Sequence, residues 1–187
     1  MCKLFRMLLL IALIPALQGC FPIVAGGVGI TMASDRRTSG IFIEDQGIEL
    51  KTQSRLSEKL KDQAHVNVTS YNLALLLTGE APTELLRADA ESVVKTIPNV
   101  RQVFNELAIA PVTSFVNRSN DSLITTKVKA RMVDANKFNI VHVKVVTEAS
   151  TVYLLGIVTR KEAEDATEIA RTTTGVIKVV RLFEYLD

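Results

Sequence analysis

From residue 47 onward, apolar residues alternate between short β-like runs and longer stretches of helical period, and the whole order occurs twice. Leu56 and Leu60, at i and i+4 among charged neighbours, predict an amphipathic helix over residues 48–62. Two β-rich runs, 66–71 and 73–78, flank a turn near Asn72 and predict a hairpin. Pro82 and the acidic Glu84 suit the start of a second helix, whose apolar face is Leu85, Leu86, Ala90, Val93, Val94 and Ile97. Pro98-Asn99 ends it, and residues 100–109 read as a third strand. The second half repeats this with a helix over 121–134, strands over 140–147 and 151–158, a helix over 161–173 and a strand over 176–186. Ser119, Asn120 or Asp121 can cap its first helix, and Gly175 suits the stop of the second. Val66-Asn67-Val68-Thr69 aligns with Val143-Lys144-Val145-Val146 at an offset of 77, and Pro98 to Val103 with Thr174 to Val179 at 76. The expected fold is therefore α+β: two tandem αββαβ sandwiches, each a three-stranded mixed sheet packed by two helices, over 47–110 and 118–187 with a linker at 111–117. Units this small are marginally stable alone, so they are expected to dock on each other.

The N-terminus follows a different logic. Lys3 and Arg6 precede an apolar run from Met7 to Leu17, and Leu17-Gln18-Gly19-Cys20 follows. A basic start, an apolar middle and a small residue before the cut make a secretory signal over residues 1–19. The run is shorter than the roughly 20 residues that cross a bilayer. A cysteine directly after the small residue is the bacterial lipoprotein pattern, so Cys20 is expected to carry diacylglycerol and an N-acyl chain. An ordinary signal peptide with a chance cysteine is the plainer alternative. Phe21, where Asp would favour inner-membrane retention, points to the outer membrane with the chain facing the periplasm. Residues 20–46, with Gly26, Gly27 and Gly29, suit a flexible tether. No Gly-Lys-Ser/Thr follows those glycines, which argues against a phosphate loop.

Charge and composition remove several function classes. The 22 basic residues include Lys3 and Arg6, so the mature chain balances 20 basic against 20 acidic groups, without the basic excess of a nucleic-acid binder. Cys2 leaves with the signal and Cys20 is acylated, so neither disulfide nor thiolate chemistry remains. His65 and His142 lie beside strand starts and neither has metal-ligand spacing around it. No Gly-x-Ser-x-Gly elbow is present. No catalytic residues, metal site or dissociable cofactor are expected.

The first helix of the second unit carries the remaining chemistry. Ile124, Val128, Met132 and Ala135 share the expected core stripe, while Leu123, Lys127 and Arg131 form another at i, i+4, i+8. Lys129 broadens the basic cluster, and the long connection that follows adds Lys137 and Phe138. A helix face that mixes cations with apolar groups is how interfacial helices touch anionic lipid. The same residues also describe an ordinary solvated face with a core-filling phenylalanine. Residues 111–187 hold 11 basic against 9 acidic groups and residues 47–110 hold 7 against 8, a small bias towards the second unit.

The lipobox, the glycine-rich tether and two αββαβ units resemble the dual BON-domain outer-membrane lipoproteins. Asn67-Val68-Thr69-Ser70-Tyr71 and the run from Asn120 to Lys129 carry the closest likeness, together with Val143 to Glu148 and Gly156 to Thr159. The resemblance implies a non-catalytic protein whose second BON domain binds anionic phospholipid through its first helix and nearby loops, and which supports envelope integrity and cell division. It also leaves room for a scaffold that recruits envelope assembly or cell-wall proteins. Members of that family carry Trp two residues after Asn-Asp, where this chain has Leu123.

Overall fold

The computed structural model describes residues 34–112 and 115–187, the first three of the latter by backbone alone. The expected signal, Cys20 and most of the expected tether lie outside the described residues. The first unit runs α1 (Ser39–Leu60), a 3-10 turn (Lys61–Gln63), β1 (His65–Tyr71), β2 (Ala74–Ala81), α2 (Glu84–Val94), β3 (Gln102–Asn105) and β4 (Ala108–Ile109). The second runs α3 (Phe115–Ala135), a 3-10 turn (Ile140–His142), β5 (Val143–Glu148), β6 (Thr151–Val158), α4 (Arg160–Arg171) and β7 (Lys178–Tyr185). In each, an antiparallel hairpin is joined by a parallel strand after the second helix, so β2 and β6 are the central strands.

Both first helices begin earlier than the sequence pattern predicts. Thr38 caps α1, its side chain accepting from the Ile41 N–H at 3.2 Å, so the tether expected to reach residue 46 is helical from Ser39. Likewise α3 takes in the last three residues of the expected linker and runs straight through Ser119, Asn120 and Asp121, none of which caps it. The expected third strand over 100–109 is broken, giving the first sheet four strands instead of three. Glu106 keeps one backbone bond to β2, its N–H to the Leu77 carbonyl at 3.0 Å, before Leu107 turns into the core at 3% exposure.

Asp121 does something else, and Asp45 repeats it. Each is a buried carboxylate in the first helix of its unit that accepts two backbone N–H groups from the hairpin turn beneath. Asp45 takes Asn72 and Leu73 at 2.8 and 2.9 Å, and Asp121 takes Ala149 and Ser150 at 2.9 and 2.8 Å. All four turn residues have positive φ, between 47° and 65°. Two-residue hairpins need this twist, yet outside Gly and Asn it costs roughly 1–2 kcal/mol per residue. Two hydrogen bonds to a charged acceptor, each contributing about 1.5–3 kcal/mol, offset that strain. Asp45 is also paired with Arg37 at 2.8 Å and accepts from the Ser70 hydroxyl at 2.7 Å. Arg37 in turn reaches Asp35 and stacks 4.1 Å over the Tyr71 ring. Burial opposes ionisation of Asp35, but the Arg37 hydrogen bonds prevail and hold its carboxyl below the ordinary value.

The central strands are buried on both faces, as continuous apolar runs require. Leu75 and Leu77 of β2 meet Ile48, Leu56, Leu60, Ala90 and Val94 from α1 and α2. Val152 and Leu154 of β6 meet Ile124, Val128, Met132, Ala166 and Ala170 from α3 and α4. The intervening residues face the other way: Tyr71 and Leu76 join Tyr153 and Leu155 in a third core, flanked by Phe104, Val146, Val180 and Leu182. The two sheets therefore stack helix-free faces together, and the layers run helix, sheet, sheet, helix. Polar contacts frame this seam. Lys144 bonds Glu49 at 2.7 Å, Asn67 bonds Glu148 at 2.7 Å, and Asn72 bonds Glu184 at 2.9 and 3.0 Å. Burial in the seam pushes the Tyr153 hydroxyl up to about 12.

The residues ahead of α1 reach the second unit. Arg36 forms a forked pair with Glu162 at 2.6 and 2.9 Å and also bonds the Ile157 carbonyl at 2.8 Å. That guanidinium holds the Glu162 carboxyl down to about 2.

Asp45→Ala should cost about 3–5 kcal/mol in urea unfolding, because it strands Arg37 beside a strained turn. Asp121→Ala, without such a partner but losing the same two turn bonds, should cost about 3 kcal/mol. Glu162 binds its proton less readily folded than unfolded, so its stabilisation is complete above its ordinary value of 4.5 and disappears as pH falls towards 2. The melting-temperature gap between the wild-type chain and Glu162→Gln should close across that interval.

Candidate membrane-contacting face

Helix α3 presents two very different sides. Ile124, Val128 and Met132 are at most 1% exposed and fill the core of the second unit. Ala135, expected to share that stripe, is exposed, because the helix ends there and the chain turns away at Asn136. On the outer side Leu123 is 59% exposed, and Lys127 and Lys129 are also exposed. Among the described residues, neither lysine has an ion-pair partner.

The remaining sequence-predicted residues are engaged elsewhere. Arg131 turns its guanidinium onto the C-terminal end of α4, donating to the Ile169 carbonyl at 2.9 Å, the Thr173 hydroxyl at 2.7 Å and the Thr172 hydroxyl at 3.1 Å. Carbonyls at a helix end lack intrahelical donors and attract cations, which explains the preference. Lys137 is paired with Asp165 at 3.0 Å, and Lys161 bonds the same carboxylate at 2.8 Å. These two lysines hold Asp165 below its ordinary value. Phe138 is half-buried against the core of the second unit beside Ile140. It also helps to line a depression of about 430 Å³ at the end of α3, with Val133 and Lys137. Cys20 lies outside the described residues.

Two apolar groups join the face that the sequence reading did not single out. Val133, 58% exposed, stands ten residues after Leu123 on the outer side, and exposed Ala130 lies between them. At 1.5 Å per residue the strip from Leu123 to Val133 extends about 15 Å. Its i, i+7, i+10 spacing was a usable signal. Ile177 is 83% exposed, and only the tertiary structure brings it near. Gly175, at φ +99°, sits so close to α3 that a Cβ there would lie 3.1 Å from Ile124. The Ile177 N–H bonds the Ser150 carbonyl at 2.9 Å, and the Ser150 N–H bonds Asp121. Leu123 and Ile177 thus mark the same end of the second unit, with exposed Lys178 beside them.

The histidines do not assemble a reactive site. The His65 ring nitrogen lies 3.2 Å from the Asn67 amide, and His142 faces Glu162 at 3.4 Å. Among the described residues no group of three or more His, Cys, Asp or Glu is arranged to hold a metal ion, and no helix is long and apolar enough to cross a membrane.

The fold and its surface define a tandem α+β protein of two stacked units with a cationic, partly apolar outer helix on the second. The BON domain family matches residues 44–111 and again 120–187. The chain is 38% identical over 175 residues to the Outer membrane lipoprotein DolP of Haemophilus influenzae, covering 91% of each chain. It is 32% identical over 159 residues to the 21 kDa hemolysin of Actinobacillus pleuropneumoniae, covering 84% of this chain and 82% of the other. Similarity to the Osmotically-inducible protein Y of Escherichia coli, 33% over 119 residues, covers 61% of this chain and 55% of the relative. The chain belongs to the BON domain family, with two copies of the domain.

Arg131 and Lys127, one helical turn apart, should behave differently on substitution. Arg131→Ala removes three bonds around the end of α4 and should lower unfolding stability by about 1.5–3 kcal/mol. Lys127→Ala should stay within about 0.5 kcal/mol of the parent chain. Chemical denaturation of the two variants side by side checks the contrast.

Proposed function

We propose that this chain is a non-catalytic outer-membrane lipoprotein, anchored through an acylated Cys20 and facing the periplasm, whose second BON domain rests on anionic phospholipid through the outer side of α3. The carrying observation is the sorting of cations on and around that helix. Arg131 and Lys137 are committed to protein acceptors, whereas Lys127 and Lys129 stand free of ion pairs among the described residues beside exposed Leu123 and Val133. Similarity to the Outer membrane lipoprotein DolP supports the location. In this reading the protein carries no dissociable cofactor, only its covalent diacylglycerol and N-acyl chain, and it supports envelope integrity.

Mechanistically the contact is shallow. Each lysine near an anionic leaflet contributes about 1 kcal/mol. Half-insertion of Leu123 and Val133 adds about 1 kcal/mol each. A total of about 4 kcal/mol corresponds to millimolar binding, so an untethered chain is held only where accessible lipid is itself millimolar. A lipid anchor changes the arithmetic by raising effective concentration, so that weak docking becomes the dominant state. The anchor supplies residence, while the face supplies orientation and preference for negative charge.

A second reading, a scaffold for envelope assembly or cell-wall proteins, draws on the first domain. Ile43 and Leu50 are 65% and 73% exposed, seven residues apart on α1, and suit a helical or sheet-edge partner. The two readings separate in a flotation assay on the chain lacking Cys20, with zwitterionic and anionic vesicles at several millimolar accessible lipid. Flotation should occur only with the anionic vesicles, and Lys127→Glu with Lys129→Glu should reduce it more than tenfold while leaving the melting temperature in place. Leu123→Trp should strengthen it, since an indole favours the headgroup layer. Ile43→Ser with Leu50→Ser should leave it unchanged. Equal, negligible flotation with both vesicle types would favour the scaffold.

A further inference from the structure

The strap formed by residues 34–37 joins the N-terminal side of the first domain to the second. Adjacent arginines divide the work: Arg37 is held within the first domain by Asp45 and Tyr71, whereas Arg36 crosses to Glu162 and the Ile157 carbonyl. The Ser34 carbonyl lies 3.1 Å from His142 Nε2, and His142 Nδ1 lies 3.4 Å from the same Glu162 carboxylate. Arg36 and Glu162 are largely buried, at 25% and 16% side-chain exposure, and their pairing is forked. Forked pairing fixes direction as well as distance. The described residues therefore start at Ser34 against the second domain, although in sequence they lead into the first. His142 closes the connection that follows α3, so this point adjoins the end of the helix that carries the proposed lipid face.

We propose that Arg36, Glu162 and His142 are positioning residues for membrane contact: by holding the strap on the second domain, they make the lipid anchor pull on that domain and bring the outer side of α3 to the bilayer. This rests on the reading of Cys20 as the anchor and of α3 as the docking face. Fourteen residue steps separate Cys20 from Ser34. At no more than about 3.6 Å per residue, they reach at most roughly 50 Å. With the reach so bounded, the place where the chain joins the folded body matters. A released strap moves it to Thr38, at the start of α1, and the anchor then pulls on the first domain.

The test uses the acylated chain in vesicles of phosphatidylethanolamine and phosphatidylglycerol, with a polarity-sensitive dye on Ala130→Cys to read insertion of α3. Hydrogen exchange at residues 34–38 reads the state of the strap. Arg36→Ala and Glu162→Gln, the latter retaining a helix-capping side chain, should each raise that exchange and reduce the dye signal several-fold. Arg36→Lys, which keeps the charge but not the fork, should change both less than Arg36→Ala. In the chain lacking Cys20, the same variants should insert no less than the parent. Faster exchange with undiminished dye signal in the acylated chain would overturn the positioning role while leaving the docking face intact. Unchanged exchange in both variants would overturn the strap itself. Absence of any dye signal from the parent acylated chain would remove the docking face, and this proposal with it.

Discussion

Two helices can cover only one face of a small sheet, and in this chain both faces of each central strand are apolar. Stacking of the two uncovered faces, Tyr71 and Leu76 against Tyr153 and Leu155, is the constraint that orders everything else. It forces the helices outward into separate layers, so α3 has a core side and an open side. It also aligns the polar groups along the seam, where Lys144 finds Glu49 and Asn67 finds Glu148. Each small unit would otherwise leave a large part of its apolar surface in water, which units of this size do not survive.

Much of this was legible because period and turn chemistry are local. The duplicated order of elements, the hairpins around Asn72 and before Thr151, and the buried stripe Ile124, Val128 and Met132 all follow from residues within a few positions of one another. Other features depend on partners distant in sequence. Asp45 reads as a polar interruption in an apolar stripe until the turn at Asn72 and Leu73 is brought beneath it, and without that contact the start of α1 looks like tether. Arg131 reads as one more surface cation until the end of α4 meets it. Ile177 reaches the end of the unit marked by α3 through Gly175, which packs closely on Ile124.

The proposed docking face illustrates a general point about reading charge. Counting basic residues in the second unit gives five cations on or just after α3, but the two that bind carbonyls or Asp165, Arg131 and Lys137, are already satisfied. Electrostatic attraction to a leaflet is available only from charge that the protein has not neutralised. The helix therefore offers less charge, and a longer apolar strip, than its composition suggests. That balance favours a weak, orienting contact over tight capture.

The equivalent carboxylates Asp45 and Asp121 show the duplicated unit keeping its internal brace while the outer surfaces diverge. One copy's leading helix displays Ile43 and Leu50 with exposed Lys51 adjoining, and the other's displays Leu123 and Val133 with Lys127 and Lys129 between them. Since neither outer strip contributes to the shared seam, substitutions on one are not felt by the other. A fused pair of like modules can in this way evolve two independent exteriors on a common chassis.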